Sequence, residues 1–211
     1  MIRAVLWDFG GVLTTSPFDA FNRYEAERGL PRDFIRTINA TNPEHNAWAR
    51  FESSVIGPDE FDREFEIESR ARGHAIRGRD VMELLSGDVR PRMVAALRAC
   101  KARYKVGCLT NNVKSGRGPG MAATNARADA VQAVMGLFDV VVESSKEGIR
   151  KPNPAFYLRA CELLAVTPHE SVFLDDLGVN LKPAKALGMT TIKVVSEAQA
   201  LEELETIVDL S

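Results

Sequence analysis

Residues 171–189 read SVFLDDLGVNLKPAKALGM, and this stretch decides the fold. The apolar run over 171–174 is typical of a buried parallel strand. The pattern over 180–187 predicts a helix, and Gly188 is the residue type most common just after a helix ends. The stretch is therefore a strand followed by a helix, with an acidic pair where the strand ends.

The same alternation of strand and helix extends outward along the chain. Four more apolar runs predict strands over 4–9, 105–109, 139–142 and 190–195. Helical patterns fall between or after the later strands, over 92–104, 129–135, 154–165 and 198–208. This alternation predicts an α/β fold with a doubly wound, Rossmann-like parallel sheet. The ligand of such a sheet lies at the carboxyl ends of its strands.

Residues 16–88 interrupt this alternation. They contain no convincing strand, and prolines divide them into short helical pieces. We therefore predict a small helical cap domain over 16–88, inserted after the first strand, and an α/β core domain built from 1–15 and 89–211. The alternative is a set of extra helices packed on the sheet.

The composition argues against several classes of function. Lys and Arg total 27 and Asp and Glu total 29, and the net charge of −2 argues against nucleic-acid binding. The sequence contains no run of about 18 apolar residues, so it predicts no membrane span. The three cysteines form no CxxC motif, which argues against a cysteine zinc site and favours a cytoplasmic protein. The glycine-rich segment 114–120 predicts a mobile loop, and monomer and homodimer are both open.

Polar side chains stand just past the ends of four predicted strands. They are Asp8, Thr110, Asn111, Lys151, Asp175 and Asp176. Because the carboxyl ends of parallel strands meet at one edge of the sheet, we expect these side chains to lie close together. Three carboxylates this close require a cation, and Mg²⁺ fits best because no His or Cys accompanies them. Mg²⁺ and a lysine ammonium together form a site for a phosphate group.

The order Asp, Thr, Lys and Asp-Asp resembles the four motifs of the haloacid dehalogenase-like hydrolase superfamily. The resemblance covers nearly the whole chain and is most specific in VVVESSKEGIRKPNPAFY, residues 140–157, and in 171–189. There the sequence is similar to the N-terminal phosphatase domain of soluble epoxide hydrolase and its bacterial relatives, which have a helical cap after the first strand. Nothing corresponds to the separate epoxide-opening domain, so we expect no epoxide hydrolysis.

The resemblance implies a Mg²⁺-dependent phosphatase that hydrolyses a small phosphomonoester through an aspartyl-phosphate intermediate. Asp8 would be the nucleophile. The carboxylates of Asp8 and Asp176 and the backbone carbonyl of Gly10 would hold the metal.

The resemblance also implies which groups bind the transferring phosphoryl group. Thr110, with the backbone and side chain of Asn111, would bind its oxygens, and Lys151 would neutralise its charge and that of the nucleophile. Asp175 would orient Lys151 and the waters on the metal. Asn180 stands where the relatives have an active-site asparagine.

Gly10 departs from the family pattern. The usual first motif is Asp-x-Asp-Gly, whose second Asp is the general acid/base, whereas residues 8–11 here read DFGG. A general acid/base contributes roughly 10²–10⁴-fold to the rate, and Gly10 has no carboxylate to supply it. His45, Glu52 or a water could substitute, although an exposed His and a helix-surface Glu are the expected states of these two residues.

Two other functions remain open. A 2-haloacid dehalogenase also lacks the second Asp, but it attacks carbon directly, needs no metal and lacks an acidic pair such as Asp175-Asp176. Its activity would survive EDTA, whereas that of the phosphatase would not. Because of Gly10, the protein could instead be weakly active, or a non-catalytic phosphate-binding or sensor protein, which a long-lived phosphate on Asp8 would favour.

Overall fold

The computed structural model describes residues 1–112 and 125–210, and the predicted loop 114–120 lies outside them. Within this part of the chain, five strands form one parallel sheet in the order β3-β2-β1-β4-β5. The strands are β1 (Ala4–Trp7), β2 (Lys105–Thr110), β3 (Val140–Glu143), β4 (Ser171–Asp175) and β5 (Thr190–Lys193). All five predicted strands are confirmed, with ends that shift by at most two residues.

β1 is the central strand, and its position determines where a ligand can bind. After β1 the chain builds β2 and β3 on one side and then β4 and β5 on the other. Doubly wound sheets bind their ligands where the chain changes sides in this way. Trp7 pairs with Cys108 of β2 and with Leu174 of β4, so the next residue leaves the sheet between two neighbouring strand ends.

Five helices follow β1 along the chain, before the rest of the core. In the described chain they are α1 (Pro17–Glu27), α2 (Phe34–Ala40), α3 (Ala47–Glu52), α4 (Pro58–Arg70) and α5 (Gly78–Glu83). Asn46 caps the N-terminus of α3, and its side chain accepts a hydrogen bond from the Ala49 N–H at 2.7 Å. The apolar side chains of these helices form their own hydrophobic cluster, in which the Phe51 and Phe61 rings stack 4.3 Å apart. We propose that these helices form the cap domain over 16–88.

The remaining described helices cover both faces of the sheet. They are α6 (Pro91–Arg103), α7 (Asn125–Met135), α8 (Ser144–Glu147), α9 (Pro154–Leu164), α10 (Gly178–Ala186) and α11 (Glu197–Ile207). Apolar side chains of α6, α7 and α11 pack on one face, and those of α9 and α10 pack on the other. The predicted doubly wound α/β fold is therefore confirmed. The sequence does not predict α8, because a single turn is too short to show helical periodicity.

None of the helices in the described part of the chain combines the length and the apolar character that a membrane crossing requires.

Candidate active site

Asp8 leaves the sheet at its centre, directly after β1. Its N–H donates to the Leu174 carbonyl of β4 at 2.8 Å, which continues the β1–β4 pairing by one residue. Asp8 Oδ1 accepts from the Phe9 N–H at 2.7 Å and from Lys151 Nζ at 2.8 Å. Among residues 1–112 and 125–210, no hydrogen-bond donor reaches Oδ2. Within the described part of the chain, the Asp8 carboxylate is therefore held through Oδ1, which leaves Oδ2 for reaction.

Lys151 is a buried ammonium shared by two carboxylates. Its Nζ lies 2.8 Å from Asp8 Oδ1 and 2.8 Å from Asp175 Oδ2, and its side chain is 1% exposed. Burial alone lowers the pKa of Lys151, but Asp175 and Asp8 outweigh burial and hold the pKa above its usual value. Lys151 is therefore a fixed positive charge beside Asp8.

Asp175 is fully buried and its two oxygens are saturated by protein donors. Oδ1 accepts from the Leu177 N–H at 2.8 Å, and Asn180 Nδ2 donates to both oxygens at 3.1 and 3.0 Å. Oδ2 also accepts from Lys151 Nζ. Asn180 is itself held by Tyr157, whose hydroxyl donates to the Asn180 carbonyl at 2.7 Å. These contacts suit Asp175 to anchoring Lys151, and they place the predicted Asn180 beside Asp175.

The carboxylates of Asp8, Asp175 and Asp176 converge on one spot. Each offers an oxygen, and these oxygens lie within 4.8 Å of one another. Burial raises the pKa of Asp8, against the effect of Lys151, and the other two carboxylates add to the rise. Burial, followed by Asp175, raises the pKa of Asp176 to about 6. Lys151, together with Arg90 near Asp176, does not balance three crowded carboxylates. An all-oxygen donor set suits a hard divalent cation.

Two adjacent glycines shape the turn after Asp8. Gly11 has φ +78°, and a Cβ built there would lie 2.2 Å from Asp176 Oδ2, so only glycine leaves room for that carboxylate. A Cβ at Gly10 would meet nothing within 4 Å. The packing around Gly10 therefore leaves space for the first side-chain atom of the Asp that the family motif has at this position.

The residues after β2 hold the loop that contains Lys151. Asn111 Nδ2 donates to the Lys151 carbonyl at 3.0 Å, and the Lys151 N–H donates to Asn111 Oδ1 at 2.9 Å. The Asn111 side chain thus uses its oxygen and one of its two amide N–H groups on the main chain of Lys151, and its contact with a phosphoryl group stays a prediction. Thr110 is the last residue of β2 and is 3% exposed.

The cap approaches this site through Glu52, the last residue of α3. Glu52 is 8% exposed, so the expectation of a helix-surface Glu is wrong, whereas His45 is exposed as expected. Arg150 Nη1 donates to Glu52 Oε2 at 2.6 Å, and Arg150 Nη2 donates to the Pro43 carbonyl at 2.6 Å. The residue next to Lys151 thus contacts the cap at two points.

A second contact joins cap and core, and sequence reasoning missed it. Ser144 Oγ lies 3.0 Å from the Glu52 carbonyl and 3.0 Å from the Asn112 carbonyl, and it accepts from the Asn112 N–H at 3.0 Å. Asn112 Nδ2 also donates to Glu143 at 2.6 Å. The second Asn of the TNN run at 110–112 is the one residue of this contact that stands out in the sequence. Its partners are remote in the chain, so no local pattern links them to it.

Comparison with known families agrees with this geometry. A family model described as a haloacid dehalogenase-like hydrolase matches residues 2–188.

Similar proteins are found in mammals and bacteria. The chain is 32% identical over 211 residues to mouse acyl-CoA dehydrogenase family member 10, covering 97% of this chain and 19% of that protein. It is 31% identical over 222 residues to mouse bifunctional epoxide hydrolase 2, covering 98% of this chain and 39% of that protein. It is 32% identical over 213 residues to a phosphatase of Mycobacterium tuberculosis (strain CDC 1551 / Oshkosh), covering 94% of this chain and 89% of that protein. The chain thus spans well under half of the two mouse proteins.

Solved structures share the fold at lower identity. An enzyme of the same superfamily from Bacteroides thetaiotaomicron, in complex with magnesium and inorganic phosphate, has a TM-score of 0.58 at 19% identity and covers 92% of this chain and 94% of its own. A dehalogenase has a TM-score of 0.68 at 19% identity, with coverage of 98% and 97%. These similarities concern the fold and do not separate phosphatase from dehalogenase chemistry.

Proposed function

The chain belongs to the haloacid dehalogenase-like hydrolases, and from that premise we propose that it is a Mg²⁺-dependent phosphatase acting on a small phosphomonoester through an aspartyl-phosphate. The observation that supports this choice is the convergence of Asp8, Asp175 and Asp176 beside Lys151. Attack on carbon by a dehalogenase needs no metal, so a crowded acidic cluster at the nucleophile would serve no purpose there.

The first half of the proposed reaction transfers the phosphoryl group to Asp8. Oδ2 of Asp8 attacks phosphorus, a new P–O bond forms, and the bond from phosphorus to the leaving oxygen breaks. Lys151 stabilises the charge on the nucleophile and on the transferring group. Mg²⁺, when held by the Asp8 and Asp176 carboxylates and the Gly10 carbonyl, offsets the negative charge that these groups and the phosphate bring together.

The second half hydrolyses the aspartyl-phosphate with water and returns Asp8 to its carboxylate form. We assign the phosphoryl oxygens to the Thr110 hydroxyl and to the backbone and side chain of Asn111, whose amide has a second N–H beside the one that donates to the Lys151 carbonyl. Asp175 keeps Lys151 in place through both half-reactions.

We also propose a cytoplasmic location and a small phosphate ester, rather than nucleic acid or membrane, as the partner. The three cysteines are free and buried, as in proteins that work in a reducing compartment. The chain is near neutrality, with a net charge of −2, and lacks the charge excess of a nucleic-acid-binding protein.

The proposed function is tested by a screen of sugar phosphates, nucleotides, lipid phosphates and p-nitrophenyl phosphate, with Mg²⁺ and with EDTA. We expect hydrolysis that needs Mg²⁺ and stops in EDTA. A parallel assay with 2-chloropropionate measures halide release. Halide release that continues in EDTA, without phosphatase activity, would establish the dehalogenase instead. A stable phosphate on Asp8 without turnover would establish the sensor.

Gly11→Ala is predicted to weaken Mg²⁺ binding at least about 10-fold, because the new Cβ displaces the Asp176 carboxylate that supports the metal. Titration of Mg²⁺ into the purified variant, followed by calorimetry and by the Mg²⁺ dependence of the rate, measures the effect. Gly29→Ala is the matched control: its φ is +64°, but its Cβ would meet nothing within 4 Å. We expect that control to lose about 1–2 kcal/mol of stability and to keep its Mg²⁺ affinity. Equal Mg²⁺ affinities in the two variants would contradict the role of Asp176.

A further inference from the structure

Gly10 leaves the proposed phosphatase without the carboxylate that protonates the leaving oxygen. An alkoxide is a poor leaving group, so hydrolysis of an alkyl phosphate needs a proton donor near the bond that breaks. In the described part of the site, Asp175 is saturated by donors and Asp8 is the nucleophile. Asp176 belongs to the proposed metal site, so the donor has to come from elsewhere.

Glu52 is the carboxyl group that the cap brings to this place. It is the last residue of α3, and its side chain is 10% exposed. Arg150, which precedes Lys151 in the chain, donates from Nη1 to Glu52 Oε2 at 2.6 Å, and Lys151 Nζ is 2.8 Å from Oδ1 of the nucleophile Asp8. Glu52 is therefore a buried carboxyl of the cap, held at the junction with the core by the residue that precedes Lys151.

The surroundings of Glu52 favour a carboxyl that exchanges protons. The charged groups that face it are Arg150 and Lys151 of the core, while Glu60 and Glu64 of the neighbouring α4 pair with Arg50 instead. Burial raises the pKa of Glu52 and outweighs the opposing effects of Arg150 and Lys151 and of a hydrogen bond from Trp48. A raised pKa brings a carboxyl closer to the pH at which it can both give and take a proton.

Two contacts between cap and core do not involve the Glu52 carboxylate. The main-chain carbonyl of Glu52 already meets Ser144 of the core, and Arg150 already meets the cap at the Pro43 carbonyl. The buried Glu52 carboxylate is paired with Arg150, so its burial is compensated, and these two main-chain contacts do not depend on it.

We infer that Glu52 is the general acid and base of the reaction, in place of the carboxylate that Gly10 lacks. The inference rests on the proposed phosphatase function. As Asp8 Oδ2 bonds to phosphorus and the bond to the leaving oxygen breaks, the proton of the Glu52 carboxyl passes to that oxygen, and the alcohol leaves. The Glu52 carboxylate then takes a proton from the water that attacks the aspartyl-phosphate, so Glu52 is protonated again when phosphate is released.

The test compares two substrates that differ in their need for a proton. β-Glycerophosphate releases an alkoxide, whereas p-nitrophenyl phosphate releases a phenolate that leaves unprotonated. The measured quantity is kcat/KM, which covers the steps through the departure of the leaving group. Glu52→Gln keeps an oxygen that can accept from Arg150 but removes the acid. We expect the ratio of kcat/KM for the aryl ester to that for the alkyl ester to rise about 100-fold.

Glu64→Gln is the matched control, since Glu64 is a cap carboxylate that accepts from an arginine, Arg50, at 2.6 Å, away from the site. The aryl-to-alkyl ratio of kcat/KM in Glu64→Gln should stay at the wild-type value. If Glu52 only positions Arg150 and Lys151, both esters slow together, the ratio in Glu52→Gln is unchanged, and the inference is overturned. A wild-type protein that hydrolyses neither ester would overturn the proposed function and this inference together.

A second variant tests the same inference without touching the cap. Gly10→Asp restores the motif of the family, and its Cβ would meet nothing within 4 Å. If Glu52 already supplies the proton, the aryl-to-alkyl ratio of kcat/KM in Gly10→Asp stays within about threefold of the wild-type ratio. A missing acid would instead cost roughly 10²–10⁴-fold in rate. An acceleration of β-glycerophosphate hydrolysis by about 10²-fold would show that no group supplies the proton, and would overturn the inference.

Discussion

Asp8→Asn abolishes turnover, with a loss in kcat on the order of 10⁴-fold or more, while the protein stays folded. The asparagine has the shape of the aspartate, and its Oδ1 can still accept from the Phe9 N–H and from Lys151. It has no carboxylate to attack phosphorus. Steady-state hydrolysis of p-nitrophenyl phosphate measures the loss, and thermal unfolding measures the fold.

The control for this variant is another buried aspartate. Asp62 of the cap is 3% exposed, and hydrogen bonds and charge from Arg77 and Arg79 hold the pKa of its carboxyl well below the usual range. Asp62→Asn should lower the melting temperature and leave kcat of the folded protein near the wild-type value. The wild-type enzyme, quenched in acid during turnover, should carry phosphate on Asp8. Full activity in Asp8→Asn would remove the covalent mechanism.

Lys151→Met is expected to destabilise the protein by about 3–5 kcal/mol and to reduce activity to background. Methionine fills the space of the lysine but leaves the buried carboxylates of Asp8 and Asp175 without their shared ammonium. Urea unfolding in Mg²⁺-free buffer measures the loss. Because a divalent cation offsets part of the same charge, adding Mg²⁺ should recover part of the stability without recovering activity.

Lys105→Met separates the loss of a buried ion pair from the loss of any lysine. Lys105 is exposed, and its ammonium donates to the Leu164 carbonyl at 2.6 Å. We expect a cost of about 1 kcal/mol, the usual worth of one hydrogen bond. Equal stabilities of the two lysine variants would show that Lys151 does not balance the carboxylates.

The sheet and the edge that holds the site follow from local patterns. Short apolar runs separated by helical periods predict parallel strands, and parallel strands place their carboxyl ends together. For that reason the sequence places Asp8 and Asp175 at one edge, where the structure has their oxygens within 4.8 Å of Asp176. Strand ends are less well predicted, because β1 ends at Trp7 where the apolar pattern runs on to Phe9.

The contacts between cap and core could not be predicted in this way. Arg150 and Glu52 are 98 positions apart, and no periodicity in either segment refers to the other. Glu52 ends a short helix with a mixed pattern, so its burial depends on the core that the cap meets. The Asn111 amide is similar, since its partners are main-chain atoms of Lys151, 40 positions later, which leave no trace in composition.

The open space at Gly10 has an evolutionary consequence. A glycine codon of the GGY type becomes an aspartate codon through one nucleotide change, and no neighbouring atom within 4 Å stands in the way of the first carbon of the new side chain. Packing around the first side-chain atom therefore does not bar an Asp at this position. Any difference between the two residues therefore lies in the chemistry of the leaving group, which a panel of phosphate esters and the single substitution Gly10→Asp address more directly than stability measurements do.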